Sequence, residues 1–157
     1  MRSGRWMWAV AGIVLGAIGA SLFIYPPHQA FAANDRYDDY IICTGAVADR
    51  FGSVTEGVWM LDYRAGKLLG TLIDRTSSKM VGWAEVDLVS EFGIPPKAPV
   101  HFMMTTGMIS RGQAALYIAE TTSGKIGVYS MGMRDDMKSG VQIKKHDLVF
   151  FRQPKAN

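Results

Sequence analysis

The chain has little of several residue types on which small proteins rely for chemistry. It contains one cysteine, Cys43, among 157 residues, so no intramolecular disulfide can form. In an oxidising compartment a single cysteine is either buried or forms an intermolecular bridge, and the apolar and β-branched neighbours of Cys43 favour burial. Of the three histidines, neither His101 nor His146 has a second ligand at metal-binding spacing. The sequence therefore predicts no metal site and no cofactor.

The chain also has no large excess of basic or acidic residues. The chain carries 17 Lys and Arg against 14 Asp and Glu, a net charge of +3. Residues 1–32 hold two of the arginines and no acidic residue, which leaves 15 basic and 14 acidic residues in the remainder. No basic stretch is interleaved with aromatic residues that would stack on bases. We expect no nucleic-acid partner.

Long hydrophobic runs are confined to the beginning of the chain. Two arginines precede the uncharged run from Trp6 to Tyr25, and Pro26 and Pro27 follow it. A small-x-small pattern then ends at Ala32, which predicts a secretory signal peptide over residues 1–32. The run is also long enough for a membrane anchor. With either alternative, the positive-inside rule predicts export across the cytoplasmic membrane, with a periplasmic or membrane-anchored product.

The remaining residues, 33–157, contain two similar copies of one sequence motif. GVWMLDYRAGKLLGTLI recurs as ALYIAETTSGKIGVYSM when Gly66 is aligned with Gly124. Upstream, the pair Thr44-Gly45 aligns with Thr106-Gly107. The two alignments differ by four residues, which are missing from a polar loop of the second copy, as a structural repeat predicts. We predict one domain made of two repeats, at about 38–94 and 99–152.

Each repeat is rich in Val, Ile, Tyr, Trp and Thr between turn residues, which predicts about four strands a repeat and about eight in all. Apolar residues fall on both faces of the strand that holds Leu68 and Leu69, which indicates stacked sheets or a closed barrel. The predicted fold is all-β: two pseudo-repeated antiparallel β units packed as a sandwich or barrel, preceded by an N-terminal hydrophobic helix. We predict the fourth strand of the first repeat within residues 78–88. A short helix then follows, with Asp87 as N-cap and Gly93 after its end.

The hairpin turns hold the candidate site residues. Gly66 and Gly124 each end a four-residue turn, where glycine supplies a positive φ at little steric cost. Asp62 and Glu120 precede the two turns, where a carboxylate can accept hydrogen bonds from turn N–H groups. Their alternative role is that of a general acid and base pair, as in glycoside hydrolysis.

Other catalytic patterns are weaker. Serines 53, 110 and 123 can be combined with the histidines on paper, but the chain has no G-x-S-x-G elbow. Methionine, a flexible core filler that also suits contact surfaces or a soft-metal site, is concentrated in the second repeat. These methionines are Met103, Met104, Met108, Met131, Met133 and Met137.

Two resemblances add to this interpretation. The stretch VWMLDYRAGKLLG resembles the hairpin of quinoprotein-type (PQQ-like) β-propeller repeats, which implies four-stranded blades that often bind proteins. A ring needs more blades than two, so a closed ring would require several chains. The order of apolar segment, strands, hairpins and short helix resembles a family of small exported proteins of planctomycete bacteria, which implies export and fold but no catalytic residue.

The first functional hypothesis is a non-enzymatic, exported, membrane-associated β-repeat protein. It would bind another protein or its own copies at the cell envelope, as a binding or structural module, with the N-terminal segment as its membrane contact. The alternative is an envelope hydrolase that uses Asp62 and Glu120 as paired carboxylates.

Overall fold

A computed structural model describes residues 34–48, 53–95, 97–134 and 140–152. These residues form two antiparallel sheets that are not closed into a barrel. Sheet one has the order β1-β2-β3-β4-β5 and sheet two the order β6-β7-β8-β9, so each sheet is a simple meander. The strands are β1 (Asn34–Tyr37), β2 (Tyr40–Ala48), β3 (Val54–Asp62), β4 (Lys67–Leu72), β5 (Ala84–Asp87), β6 (Phe102–Ser110), β7 (Gln113–Glu120), β8 (Lys125–Met133) and β9 (Val141–Phe150), and helix α1 (Leu88–Phe92) joins the sheets along the chain.

The predicted all-β class is confirmed, with corrections in its detail. Nine strands are described rather than about eight, because β1 adds to the edge of β2. The fourth strand of the first half, β5, covers only residues 84–87 of the predicted 78–88. Met80 makes no more than an isolated bridge to Ile73. The predicted signal peptide or anchor, its cleavage after Ala32 and the N-terminal hydrophobic helix lie outside the described residues. Within the described ranges, no helix is long and apolar enough to span a membrane.

The two halves share one strand register. Strand β2 covers residues 40–48 and β6 covers 102–110, which is the offset at which the Thr-Gly pairs align. Gly45 faces Gly57 across the β2–β3 ladder, and the equivalent Gly107 faces Ala115 across the β6–β7 ladder. The two hairpins therefore place aligned residues at corresponding points of the two sheets.

The face that sheet one buries and the face that sheet two buries are not equivalent by the sequence alignment. In β3 the odd-numbered residues Gly57, Trp59 and Leu61 are buried between the sheets. In β7 the even-numbered residues Leu116 and Ile118 are buried, and by the alignment these correspond to positions 58 and 60. Because side chains alternate between the faces of a strand, sheet one contributes one face of the repeat to the core and sheet two contributes the other.

Glycines allow the sheets to approach closely. A Cβ atom at Gly45 would lie 3.1 Å from Ala114 Cβ and 3.4 Å from Thr106 Cβ. The Thr106 hydroxyl donates a hydrogen bond of 2.7 Å to the Thr44 carbonyl oxygen, so this contact joins the sheets directly. Met131 of β8 fills the space above Gly57, where a Cβ atom would be 2.7 Å from its Cε. The closest part of the interface thus consists of small residues that receive larger ones.

Helix α1 connects the two sheets through side chains as well as through the backbone. Asp87 caps its N-terminus by accepting from the Ser90 N–H at 3.1 Å, and Gly93 ends it with φ 64°, so both predicted caps are confirmed. Phe92 packs edge-on against Phe102 of sheet two, with ring centroids 5.5 Å apart. The Lys125 ammonium donates to the Phe92 carbonyl oxygen at 2.6 Å. A helix from the first half is therefore fixed to the second half.

Candidate functional site

The two carboxylates predicted beside the hairpin turns each accept hydrogen bonds from their own turn. Asp62 Oδ1 accepts from the Ala65 N–H at 2.9 Å. Glu120 Oε1 accepts from the Thr122 N–H at 3.0 Å, and its Oε2 accepts from the Ser123 N–H at 2.5 Å. Gly66 and Gly124, which end these turns, have φ values of 65° and 71°. The geometry therefore gives both carboxylates a place in turn formation.

Glu120 differs from Asp62 in its surroundings. Only 1% of Glu120 is exposed, whereas Asp62 is half-buried. Glu120 also accepts from the backbone N–H of His101 at 3.1 Å, which ties the start of β6 to the turn. Burial acts to raise the pKa of Glu120, but the hydrogen bonds from Ser123, Thr122 and His101 outweigh it and the pKa is lowered. A carboxylate held in its charged form by three backbone donors is suited to fixing structure and is a poor general acid.

The burial of Glu120 could not be read from the sequence. The aligned position in the first half, Asp62, carries the same charge and precedes the same kind of turn. The difference arises because sheet two turns the face that contains Glu120 toward sheet one, whereas sheet one turns its own copy of that face outward. The stacking direction of the sheets therefore decides which of the two carboxylates is buried.

The serines and histidines form one contact that sequence reasoning missed. His146 Nε2 lies 2.6 Å from Ser130 Oγ, across the β8–β9 ladder. Serines 53, 110 and 123 could be combined with the histidines only on paper, and Ser123 donates its backbone N–H to Glu120. The missed contact depends on a register shift in β9 opposite Val128 and Tyr129, which the spacing of the residues does not reveal. His146 is exposed, as is the side of β9 on which it lies.

Cys43 and the methionines are divided between core and surface. Cys43 is buried, and burial raises the pKa of its thiol to about 12, so the thiol stays protonated at neutral pH. Met104 and Met131 are buried, Met133 is half-buried, and Met103 and Met108 are exposed. Met137 lies outside the described residues. No group of three or more His, Cys, Asp or Glu side chains that could hold a metal ion occurs in the parts of the chain that the structure describes.

Exposed apolar side chains concentrate on the faces that the sheets turn away from each other. On the outer face of sheet one, Tyr40 is 48% and Ile42 is 39% exposed. On the outer face of sheet two, Met103 is 59% and Val149 is 47% exposed. Half-buried apolar residues continue both surfaces along the inner strands, namely Val58, Met60 and Leu69 in sheet one and Tyr117, Ile126 and Val128 in sheet two. These two outer faces are the best candidates for a functional surface.

Comparison with known proteins does not identify a role for these outer faces. The chain finds no significant match among family models, curated proteins or solved structures.

Proposed function

We propose that the protein is an exported, membrane-associated and non-enzymatic β module that binds protein at the cell envelope. The observation that carries this proposal is the presence of an apolar outer face on each of the two sheets. Monomeric soluble proteins rarely expose large contiguous apolar surface, and such patches commonly mark interaction sites. The N-terminal sequence supports export, because a cationic start precedes an apolar run and a small-x-small motif.

The chemistry of the described residues is consistent with a binding role. The two carboxylates that paired acid–base catalysis would need are hydrogen-bonded to turn N–H groups. The single thiol is buried between the sheets, and its raised pKa disfavours the nucleophilic thiolate. The Ser130–His146 contact lies on the outer face of sheet two, where a polar pair among apolar side chains suits a recognition surface.

Export is tested by locating the domain in cells that express the full chain. We expect a C-terminal tag to be digested by protease added to spheroplasts, while a cytoplasmic marker protein survives. Membrane association is then measured by fractionation, with and without a carbonate wash that removes peripheral proteins. A tag that stays protected until the inner membrane is lysed would contradict the proposal.

Protein binding is tested by placing a photo-crosslinking amino acid on the outer faces. We expect crosslinks to protein from Ile42 and Met103, since both side chains are exposed on these faces. Thr76, exposed in the loop after β4, is the matched control and should give much less product. Equal yields from all three positions would mean that the outer faces are not an interaction surface.

A further inference from the structure

We propose that the outer face of sheet one binds the outer face of sheet two of a second copy of this chain, so that copies stack head to tail. This inference rests on the proposed protein-binding role and names the partner. The contact would repeat, between chains, the contact that already joins the two sheets within one chain. Such an interface is heterologous, because two different surfaces meet, and it builds a ring or a filament rather than a two-fold dimer.

The two sheets use different faces of the repeat to form the core. The core of the chain is formed by the face of sheet one that holds Trp59 and Leu61 and by the face of sheet two that holds Leu116 and Ile118. The aligned positions of the first pair are 117 and 119, which lie on the outer face of sheet two. The aligned positions of the second pair are 58 and 60, which lie on the outer face of sheet one. Each outer face is therefore the counterpart of a face that is already paired in the core.

The Thr-Gly pairs show this most directly. Within the chain, Gly45 of sheet one receives Thr106 of sheet two, whose Cγ2 would be 3.2 Å from a Cβ atom at Gly45. The alignment pairs Thr44 with Thr106 and Gly45 with Gly107. The intramolecular interface thus uses the glycine of the first pair and the threonine side chain of the second. The side that remains in each half keeps this pair of residue types, with Thr44 on one outer face and Gly107 on the other. Glu56 there takes the place of Ala114, which also lies against Gly45 in the core.

One side chain must move for the faces to meet. A Cβ atom at Gly107 would lie 3.2 Å from Tyr117 Cε2, so the tyrosine ring leans over this glycine. Tyr117 is half-buried at the outer face, and rotation of its ring would uncover Gly107 for Thr44 of the second copy. The apolar residues around both positions, such as Ile42 and Met103, are exposed and would be buried by stacking.

The test uses two single-cysteine additions to the full chain, purified in detergent: Thr44→Cys and Gly107→Cys. The equivalent Cβ positions at Gly45 and Thr106 are 3.4 Å apart, close to the Cβ separation of about 3.5–4.5 Å in disulfides. Under mild oxidation we expect a mixed disulfide dimer when the two variants are combined and little product from either variant alone. The double variant should give one closed species or a ladder. Cys43 remains in place because it is buried.

The alternatives give different results. A two-fold dimer through one outer face would crosslink one single variant with itself, and this would overturn the proposal. If Gly107→Cys lowers the melting temperature by circular dichroism, Thr105→Cys, exposed on the same face, replaces it. No crosslink in any combination, with a protein mass of one chain, also overturns the proposal.

A second measurement separates stacking from association through the N-terminal apolar segment. Light scattering of the full chain should give a protein mass of several times 17.3 kDa, after subtraction of detergent. Thr44→Arg and Thr105→Arg should each reduce it to one chain, and Thr76→Arg should leave it unchanged. If the arginine variants stay associated, the outer faces are not the contact. Since these measurements use purified protein, they can fail while export and photo-crosslinking to another protein succeed, and the reverse also holds.

Discussion

At the residue scale, position in the sandwich decides what two aligned side chains do. Asp62 and Glu120 have the same charge and precede the same turn, yet Asp62 is half-buried with one turn hydrogen bond and Glu120 is buried with several. Charged hydrogen bonds contribute more when water is excluded, because the alternative is an unpaired buried charge. The contribution of Glu120 to stability should therefore exceed that of Asp62.

Replacement of Glu120 by Gln tests this difference. Glu120→Gln keeps the shape of the side chain but removes its charge and weakens its bonds to the backbone N–H groups. We expect a loss of about 1–3 kcal/mol in the free energy of unfolding. Asp62→Asn is the matched control and should cost about 1 kcal/mol or less. Urea unfolding followed by circular dichroism measures both, and equal losses would contradict the argument.

The same residue makes stability depend on pH. The pKa of Glu120 is lower in the folded protein than in the unfolded chain, so the folded state favours its charged form. Its contribution is present above the unfolded pKa of about 4.3 and is lost as pH falls through the folded value. The stability difference between the parent protein and Glu120→Gln should therefore be large at pH 7 and shrink on acidification. A difference that stays constant from pH 7 to the acid limb of unfolding would disprove the assignment.

Burial also controls the reactivity of Cys43. The thiol is buried, and its pKa of about 12 leaves almost no thiolate at pH 8. We expect Cys43 of the folded protein to resist an aromatic disulfide reagent at pH 8 and to react fully in denaturant. The absorbance of the released thiol measures the reaction. Rapid labelling of the folded protein would instead support the intermolecular bridge that the sequence left open.

At the scale of the element, helix α1 has only five residues and depends on contacts beyond its own turn. Its buried residues are Leu88 and Phe92, and Phe92 packs on Phe102 of sheet two. Its Glu91 carboxylate also accepts from the Lys145 ammonium on β9. A helix this short is marginal in isolation, so its stability must come from packing and caps. In return, it fixes the first half to the second.

Truncation of Phe92 tests the role of this helix. Phe92→Ala removes a fully buried ring and should lower the free energy of unfolding by about 3–5 kcal/mol. Phe150→Ala provides the matched control, because Phe150 is exposed on β9 and should change stability by about 1 kcal/mol or less. Thermal and urea unfolding measure both variants. If the two substitutions cost the same, α1 does not anchor the sheets.

At the scale of the whole molecule, the packing of the two sheets decides which side chains are buried and which face outward. The sheets approach each other closely at Gly45, which meets Ala114 and Thr106. A second sheet can approach this point only because the strand has no side chain there. The same stacking leaves one face of each half outward, and these outer faces are the surfaces on which the functional proposals depend.

The effect of a single methyl group at this contact can be measured. Gly45→Ala would place its Cβ 3.1 Å from Ala114 Cβ and 3.2 Å from Thr106 Cγ2. We expect a loss of about 1–3 kcal/mol in the free energy of unfolding, because the sheets must separate to accept it. Gly132→Ala is the control, since a Cβ atom at Gly132 of β8 meets nothing within 4 Å. It should be neutral or slightly stabilising, and a larger loss at Gly132 than at Gly45 would refute the packing account.

The sequence by itself determined the all-β class, both caps of α1 and the two hairpins that begin at Asp62 and Glu120. These features are local, because turn glycines, capping side chains and alternating β-branched residues act within a few residues of each other. It did not determine the extra strand β1, the short length of β5 or the Ser130–His146 contact. It also left open a sandwich or a barrel and the different burial of Asp62 and Glu120. These features depend on strand register and on which face of each sheet turns inward. Only the packing of the two sheets decides the register and the inward face.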